Sequence, residues 1–390
     1  MGDGIVIPKQ VGFRSQFYDN NNSIFSNMSW HTSSCTQIWV FSVGRGTAAF
    51  VRTGLNQGFI IDMGKNDDFD PAAFIEKEFI PKLAPYPATA GNSIAQAILS
   101  HPHTDHIASC EMLLDGNALY PSLLTCPHDK DFPDGKPSDE KLNWSRIVNR
   151  DGSDDVIATY KKLYENRSIP LQTIQYNASL TIPYLQYGIY YLRPPICETL
   201  HESNDNHYGN STSIMAYFRH GNQSILFPGD MTPEGMKQVL DEGEGSQKRY
   251  TCFDLSVSRK HPKWHLETCD QPSLNSLLKS LGLTILVAPH HGLESCYSSE
   301  LYDALKGNKP ELVVISERRH VNENDGYIDG RYQSEDGSSG LNVEVDGKAE
   351  NRRSITTVNS QHILIIFSGA GAPKIYADKD IDKLLRIANS

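Results

Sequence analysis

The chain has 390 residues, 38% of them apolar and 21% charged, and its 36 Lys and Arg against 47 Asp and Glu leave a net charge of -11. Such a length supplies ample apolar material for a sizeable core. The acidic balance argues against stable non-specific coating of duplex DNA, which depends on Lys and Arg neutralising phosphates, but it leaves room for a local cationic or metal site.

The opening MGDGIVIPKQ lacks the basic start and apolar run of a signal peptide, and no uninterrupted apolar stretch of about 18 residues occurs. A soluble, cytoplasmic protein with no membrane partner is expected. Cys35, Cys110, Cys126, Cys197, Cys252, Cys269 and Cys296 are odd in number and scattered, which reads as reduced thiols.

Short apolar runs at 38–43 (IWVFSV) and 58–61 (GFII), separated by glycine-bearing turns, predict buried strands in a meander. Asp70 then stands where an N-cap belongs and Pro71 at the first helical position; AAFIEKEFIPKL after them has helical apolar spacing and predicts a helix. AQAILS (95–100) is a compact strand that runs directly into a histidine-rich segment. This strand, helix, strand rhythm predicts an α/β fold. Residues 126–155 are polar and rich in turn formers and predict a surface excursion. Strand-like runs return at 189–194, 213–218, 224–230, 284–292 and 311–316, and HILIIF (362–367) follows a second polar excursion at 320–352.

The chemistry is concentrated in ILSHPHTDHIAS, where His101, His103, Asp105 and His106 fall within six residues at a strand end. Three imidazoles and a carboxylate exceed what one tetrahedral zinc needs, so the count points to two metals. The run SILFPGD delivers Asp230 and TILVAPHHG delivers His290 and His291, each at the C-terminal end of an apolar strand, where α/β architectures gather their sites. Other groupings are weaker. Cys252, His261, His265 and Cys269 lack tight zinc-finger spacing, and Cys126, His128 and Asp129 resemble a ligand cluster only superficially. No Walker or dinucleotide fingerprint is present, since Gly44-x-Gly46 lacks the third glycine.

With its His-x-His-x-Asp-His string followed by distant single ligands in order, the sequence resembles the metallo-β-lactamase superfamily. Within it the chain is most similar to the hydrolase domain of the DNA-uptake competence protein ComEC and its soluble relatives. The segments that carry the likeness are VGRGTAAFVRT (43–53), FIIDMG with Asp62, GNSTSIMAYF (209–218), ILFPGD, APHHG and RRSITTVNSQHILI (352–365). Two departures stand out: His103 replaces the aspartate usual in the competence proteins, and the best-aligned position for the superfamily's third histidine is Asn210.

The resemblance implies a single domain over 1–390 with an αβ/βα sandwich of two mixed sheets, helices outside and a dinuclear site at one edge. A substrate-shaping insertion would lie at about 111–188 and a polar loop at about 320–352. His101 and His103 would hold the first of two divalent ions together with Asn210 or a nearby histidine, His207 or His201. Asp105, His106 and one of His290 and His291 would hold the second, Asp230 would bridge both, and Asp62 would orient the ligand loop. Adjacent histidines on an extended segment point apart, so one would ligate and the other would face the substrate and protonate the leaving group. Zinc is the favoured ion, with manganese second. Ser213, His207, Thr356 and Thr357 are candidate substrate contacts.

The expected activity is metal-dependent hydrolysis by a bridging hydroxide, with Asp105 helping to orient it. The resemblance favours a phosphodiester in a nucleotide or nucleic acid, and the acidic charge favours a small or single-stranded substrate. A lactone, β-lactam or other carboxylic ester is the first alternative, because one site of this kind serves many substrates. A binding or regulatory module with an impaired metal site is the second. Trp144, Tyr160, Tyr164 and Tyr176 either stack on bases or pack a small subdomain.

Overall fold

Side chains of a β-strand alternate between two faces, and in the first strand, β1 (Thr36–Val40), both faces are buried. Ile38 and Val40 enter one apolar cluster while Trp39 enters another. A strand buried on both sides belongs to the middle of a layered structure, and the computed structural model shows the layers. It describes residues 35–54, 56–84, 94–127, 154–165, 186–192, 197, 199–202, 204–241, 248–252, 264–268, 273–317 and 328–390. All of these belong to the compact unit Ser34–Ser390.

In chain order the strands continue as β2 (Ala48–Arg52), β3 (Gly58–Met63), β4 (Ile94–Ile98), β5 (Pro121–Thr125), β6 (Gln186–Tyr190), β7 (Met215–His220) and β8 (Gln223–Phe227). A separate two-stranded hairpin follows, β9 (Lys248–Cys252) and β10 (Trp264–Thr268), then β11 (Ile285–Val287), β12 (Leu312–Ile315), β13 (Leu341–Val345), β14 (Lys348–Arg352), β15 (Ser354–Thr356), β16 (His362–Phe367) and β17 (Lys374–Asp378). A nine-stranded sheet has the order β14-β13-β17-β16-β1-β2-β3-β4-β5, and a six-stranded sheet the order β15-β12-β11-β8-β7-β6. Both are mixed. In the large sheet β3, β4 and β5 run parallel, and in the small one β8, β11, β12 and β15 do.

The two sheets pack face to face through Ile38, Val40, Val51 and Ile365 of one and Phe218, Ile225, Val287 and Val314 of the other. Register keeps this face continuous, since Ile38 lies opposite both Val51 and Ile365. The opposite faces receive the helices: Trp39 packs edge-on against Phe79 at 5.4 Å beside helix Pro71–Glu78, and Leu226, Leu286 and Val313 share a cluster with Leu277 and Leu301. The expected αβ/βα sandwich of two mixed sheets is therefore the architecture observed.

Helix Pro71–Glu78 starts as expected. The Asp70 carboxylate accepts from the backbone N–H of Ala72 and Ala73 at 2.9 and 3.3 Å. It gives way to a 3-10 turn at Ile80–Lys82, because Pro81 cannot donate to a continuing helix. The second polar excursion is corrected in its later half. Leu341 to Arg352 is the β13–β14 hairpin, turning through Asp346 and Gly347 at positive φ and extending the large sheet through the parallel β13–β17 pair. Its buried positions alternate with exposed ones, a period-two pattern masked by its polar composition. The segment at about 111–188 also contributes to the scaffold, because it supplies β5, the edge strand of the large sheet. Tyr160 is wholly buried, and its hydroxyl donates to the Pro127 carbonyl, so it packs rather than stacks on a ligand. Trp144, Tyr176, His128, Asp129, His261, Cys269 and the side chains of Tyr164, Cys252 and His265 lie outside the described residues.

Candidate metal centre

Parallel strands of the two sheets end on one side of the sandwich, and each end contributes. Asp62 comes from the end of β3, His101 to His106 follow β4, Asp230 follows β8, and His290 and His291 follow β11. The short helix Thr104–Ile107 begins immediately after His103 and carries Asp105 and His106 in its single turn. The loop is held by close backbone approach. The Asp105 carbonyl accepts from Thr47 N–H at 3.3 Å, and a Cβ built on Gly46 or Gly64 would stand 2.3 Å from that carbonyl oxygen. At Gly209 a Cβ would stand 2.7 Å from His103 Nε2, so glycine there makes room for the ring.

Asp62 organises the loop from behind. Its Oδ1 accepts from Ser100 N–H at 2.6 Å, and its Oδ2 accepts from the Ser100 hydroxyl at 2.8 Å and from His106 Nδ1 at 2.8 Å. With Nδ1–H engaged, His106 turns Nε2 to Asp230 Oδ1, 3.2 Å away. His291 is fixed in the same manner: Nδ1 donates to the Ser316 carbonyl at 3.1 Å and Nε2 lies 3.3 Å from Asp105 Oδ2. His101 Nε2 lies 2.9 Å from His103 Nδ1 and 3.6 Å from Asp230 Oδ2. Two groups result whose ligand atoms lie within 4.8 Å of one another, His101 with His103 and Asp230, and Asp105 with His106 and His291.

These residues fit two divalent cations. The Nε2 atoms of His106 and His291 are buried without a hydrogen-bond partner and face carboxylates at 3.2 and 3.3 Å, a spacing that an ion coordinated by both closes. The buried carboxylates set a field that favours positive charge among the rings. Burial opposes charge on His106, yet Asp230, Asp62 and Asp105 hold its ring well above the usual imidazole range. Burial alone would raise Asp230 and Asp105, but His106 with His290 or His291 holds both below the usual carboxylate range. His101 is pushed well below its ordinary value by burial and by its neighbours His106 and His103. The cluster thus presents ionised carboxylates and, at His101, a neutral imidazole, the forms that bind metal. Asp105 is the member most open to solvent, with 32% of its side chain exposed against 3% for Asp230.

One expectation is overturned. Adjacent histidines diverge only on an extended segment, and this segment is not extended: His290 (φ 47°) and His291 (φ 58°) both adopt the left-handed region. Both rings consequently face the cluster, with their Nε2 atoms 3.5 and 3.6 Å from the same oxygen, Asp230 Oδ2.

The remaining expected residues are placed as follows. Asn210 is buried, with Nδ2 3.3 Å from His290 Nδ1. His201 turns Nε2 to the Ser211 hydroxyl at 2.7 Å, and His207 lies edge-on to His201 at 5.5 Å; neither belongs to the two ligand groups. Ser213 is fully buried and its hydroxyl accepts from the Asp230 backbone N–H at 3.1 Å. Thr357 is buried too, accepting from Glu317 N–H at 3.0 Å and donating to the Glu317 carbonyl at 3.2 Å. Thr356 accepts from Val358 N–H at 3.3 Å. Each of these hydroxyls makes an internal hydrogen bond.

Several residues of the site lay outside the sequence expectations. Ser100 was readable only as the residue before the motif. Cys296, whose Sγ lies 3.0 Å from His290 Nδ1, had no signal. Glu317 follows β12 beside Ser316, and burial raises its carboxyl to about 7 against the opposing pull of His291.

No family model and no curated protein matches the sequence. Among solved structures the chain is similar to the short form of human tRNase Z, at 10% identity over 72% of this chain and 92% of that chain, with a TM-score of 0.31. It is similar also to zinc-bound PqqB from Methylobacterium extorquens, at 11% identity over 70% and 95% of the two chains (TM-score 0.27). A third is a hydrolase, AbOPH, described as of the beta lactamase superfamily, at 16% identity over 57% and 80% (TM-score 0.27). Among the described residues no helix is long and apolar enough to cross a membrane.

Proposed function

We propose that this protein is a metal-dependent hydrolase with a dinuclear site, His101, His103 and Asp230 holding one divalent ion and Asp105, His106 and His291 the other. The observation that carries this reading is Asp230, whose Oδ1 stands 3.2 Å from His106 and whose Oδ2 stands 3.6 Å from His101. One carboxylate thereby serves both groups. Two divalent ions, when bound, supply Lewis acidity and lower the pKa of water to about 7, which provides a nucleophile at neutral pH.

The chain's own residues do the rest. Asp62 and the Ser316 carbonyl hold His106 and His291 in the tautomers that leave Nε2 available. Asp105, at the solvent-facing rim, orients the attacking water toward a substrate. Backbone positions from several parallel strand ends fix the group on rigid elements, as geometry-sensitive catalysis requires.

The substrate class proposed is a phosphodiester in a nucleotide or single-stranded nucleic acid. Support for it comes from the resemblance of residues 43–53, 209–218 and 352–365 to the competence hydrolases, and from the acidic balance of the chain. Zinc is the ion proposed, since imidazoles dominate the donor set.

The test is turnover of bis(p-nitrophenyl) phosphate by the full chain as purified, after chelation, and after zinc or manganese is returned, beside Asp105→Asn. Activity that chelation removes, metal restores and the variant lacks supports the reading. Turnover of p-nitrophenyl acetate or a lactone in its place transfers the assignment to carboxylic esters, and inactivity on every ester with metal bound refutes hydrolysis.

A further inference from the structure

We infer that His290 is the fourth donor of the His101, His103 and Asp230 pocket, so that the two adjacent histidines serve one metal each. This rests on the dinuclear reading and deepens it by assigning a fourth donor to the first pocket.

Three relationships carry it. First, His290 Nε2 lies 3.5 Å from Asp230 Oδ2, the oxygen that also lies 3.6 Å from His101 Nε2. His291 Nε2 is 3.6 Å from that oxygen but stands closer, at 3.3 Å, to Asp105. Second, His290 is held as ligating imidazoles are held, one nitrogen on a fixed partner and the other toward the ion. Its Nδ1 lies 3.0 Å from Cys296 Sγ, an acceptor that keeps the proton on Nδ1 and leaves the lone pair on Nε2. Asn210, at the position expected to ligate, lies beside this ring, its amide nitrogen 3.3 Å from His290 Nδ1. Third, both histidines occupy left-handed backbone that non-glycine residues seldom adopt. Such strain concentrates at functional sites, and here it brings a second ring to Asp230 that an extended chain would point away.

The test is cobalt binding to the metal-free full chain, followed by visible absorbance and by metal content per chain. Wild type, His290→Asn and His290→Ala are compared alone and within His106→Ala and His103→Ala backgrounds. His290→Asn keeps a polar atom at the Nδ1 position while removing Nε2, so a merely structural role for the Cys296 and Asn210 contacts leaves affinity unmoved. Wild type is expected to take up two cobalt ions. In His106→Ala, where the remaining ion sits with His101 and His103, adding His290→Asn weakens it by at least about 10-fold and alters the visible bands. In His103→Ala the same addition changes the remaining affinity by less than about 2-fold.

Unchanged affinity and spectrum in the His106→Ala background overturn the assignment and leave His290 to act on substrate. Equal weakening in both backgrounds overturns it in favour of a supporting role. Failure of wild type to bind any cobalt removes the dinuclear reading itself and this assignment with it, an outcome distinct from the other two.

Discussion

Asp62 reaches across from the end of β3 to His106, its Oδ2 2.8 Å from Nδ1, and thereby decides which nitrogen of that ring faces Asp230. The carboxylate is fully used, since its other contacts are the Ser100 amide and hydroxyl. Replacing Asp62 with Asn offers an N–H where an acceptor is needed and drives His106 to the tautomer whose Nε2 carries the proton. Asp62→Asn is expected to weaken zinc binding by about 10- to 100-fold, measured by competition against a chromophoric chelator. Affinity equal to wild type would contradict this orienting role.

Gly64 tests the backbone grip on the ligand loop. An alanine Cβ there would stand 2.3 Å from the Asp105 carbonyl and 2.9 Å from that of Thr47, both backbone atoms. Gly64→Ala is expected to cost about 1–3 kcal/mol of stability by overpacking. Displacement of Asp105 and His106 should weaken metal binding as well. Denaturant unfolding of the metal-free protein isolates the first effect, and unchanged stability would mean that the loop yields freely.

His362 sets an acid limit on stability away from the metal cluster. It opens β16, its Nδ1 accepts from Ser42 N–H at 3.2 Å, its ring packs 4.4 Å from Phe69, and burial lowers its pKa to about 4. The native state therefore binds this proton less tightly than the unfolded chain does. Its contribution is fully present above about pH 6.5 and is lost as pH falls toward about 4, a span worth about 3 kcal/mol at the acid end. His362→Asn retains an acceptor for Ser42 without titrating in this range. Thermal unfolding from pH 7 to pH 4.5 should show a steeper loss in wild type than in the variant, and parallel curves would refute the assignment.

The parts legible in the sequence are those where one physical signal dominated. Apolar runs ending in a ligand residue marked β4, β8 and β11, and HILIIF matches β16 residue for residue. The Asp70 and Pro71 pair fixed a helix start because a cap acts locally. The β13–β14 hairpin was hidden because β13 buries only alternate residues and β14 is exposed at the edge of the sheet, so no apolar run marks it. The directions of His290 and His291 were hidden because nothing local requires φ > 0 at a histidine; the surrounding structure imposes it. Cys296 and the contact of Ser213 to Asp230 were hidden because they join segments distant or unmarked in the chain.

Whether Asp230 joins two metal-binding groups is decided by the zinc content of the full chain after loading and removal of excess metal, with Asp230→Asn beside wild type. Two zinc ions per wild-type chain are expected, with weakened retention of both in Asp230→Asn, since the two Asp230 oxygens face His106 on one side and His101 on the other. Wild type that retains no zinc, or an Asp230→Asn variant that retains two as tightly as wild type, would contradict it.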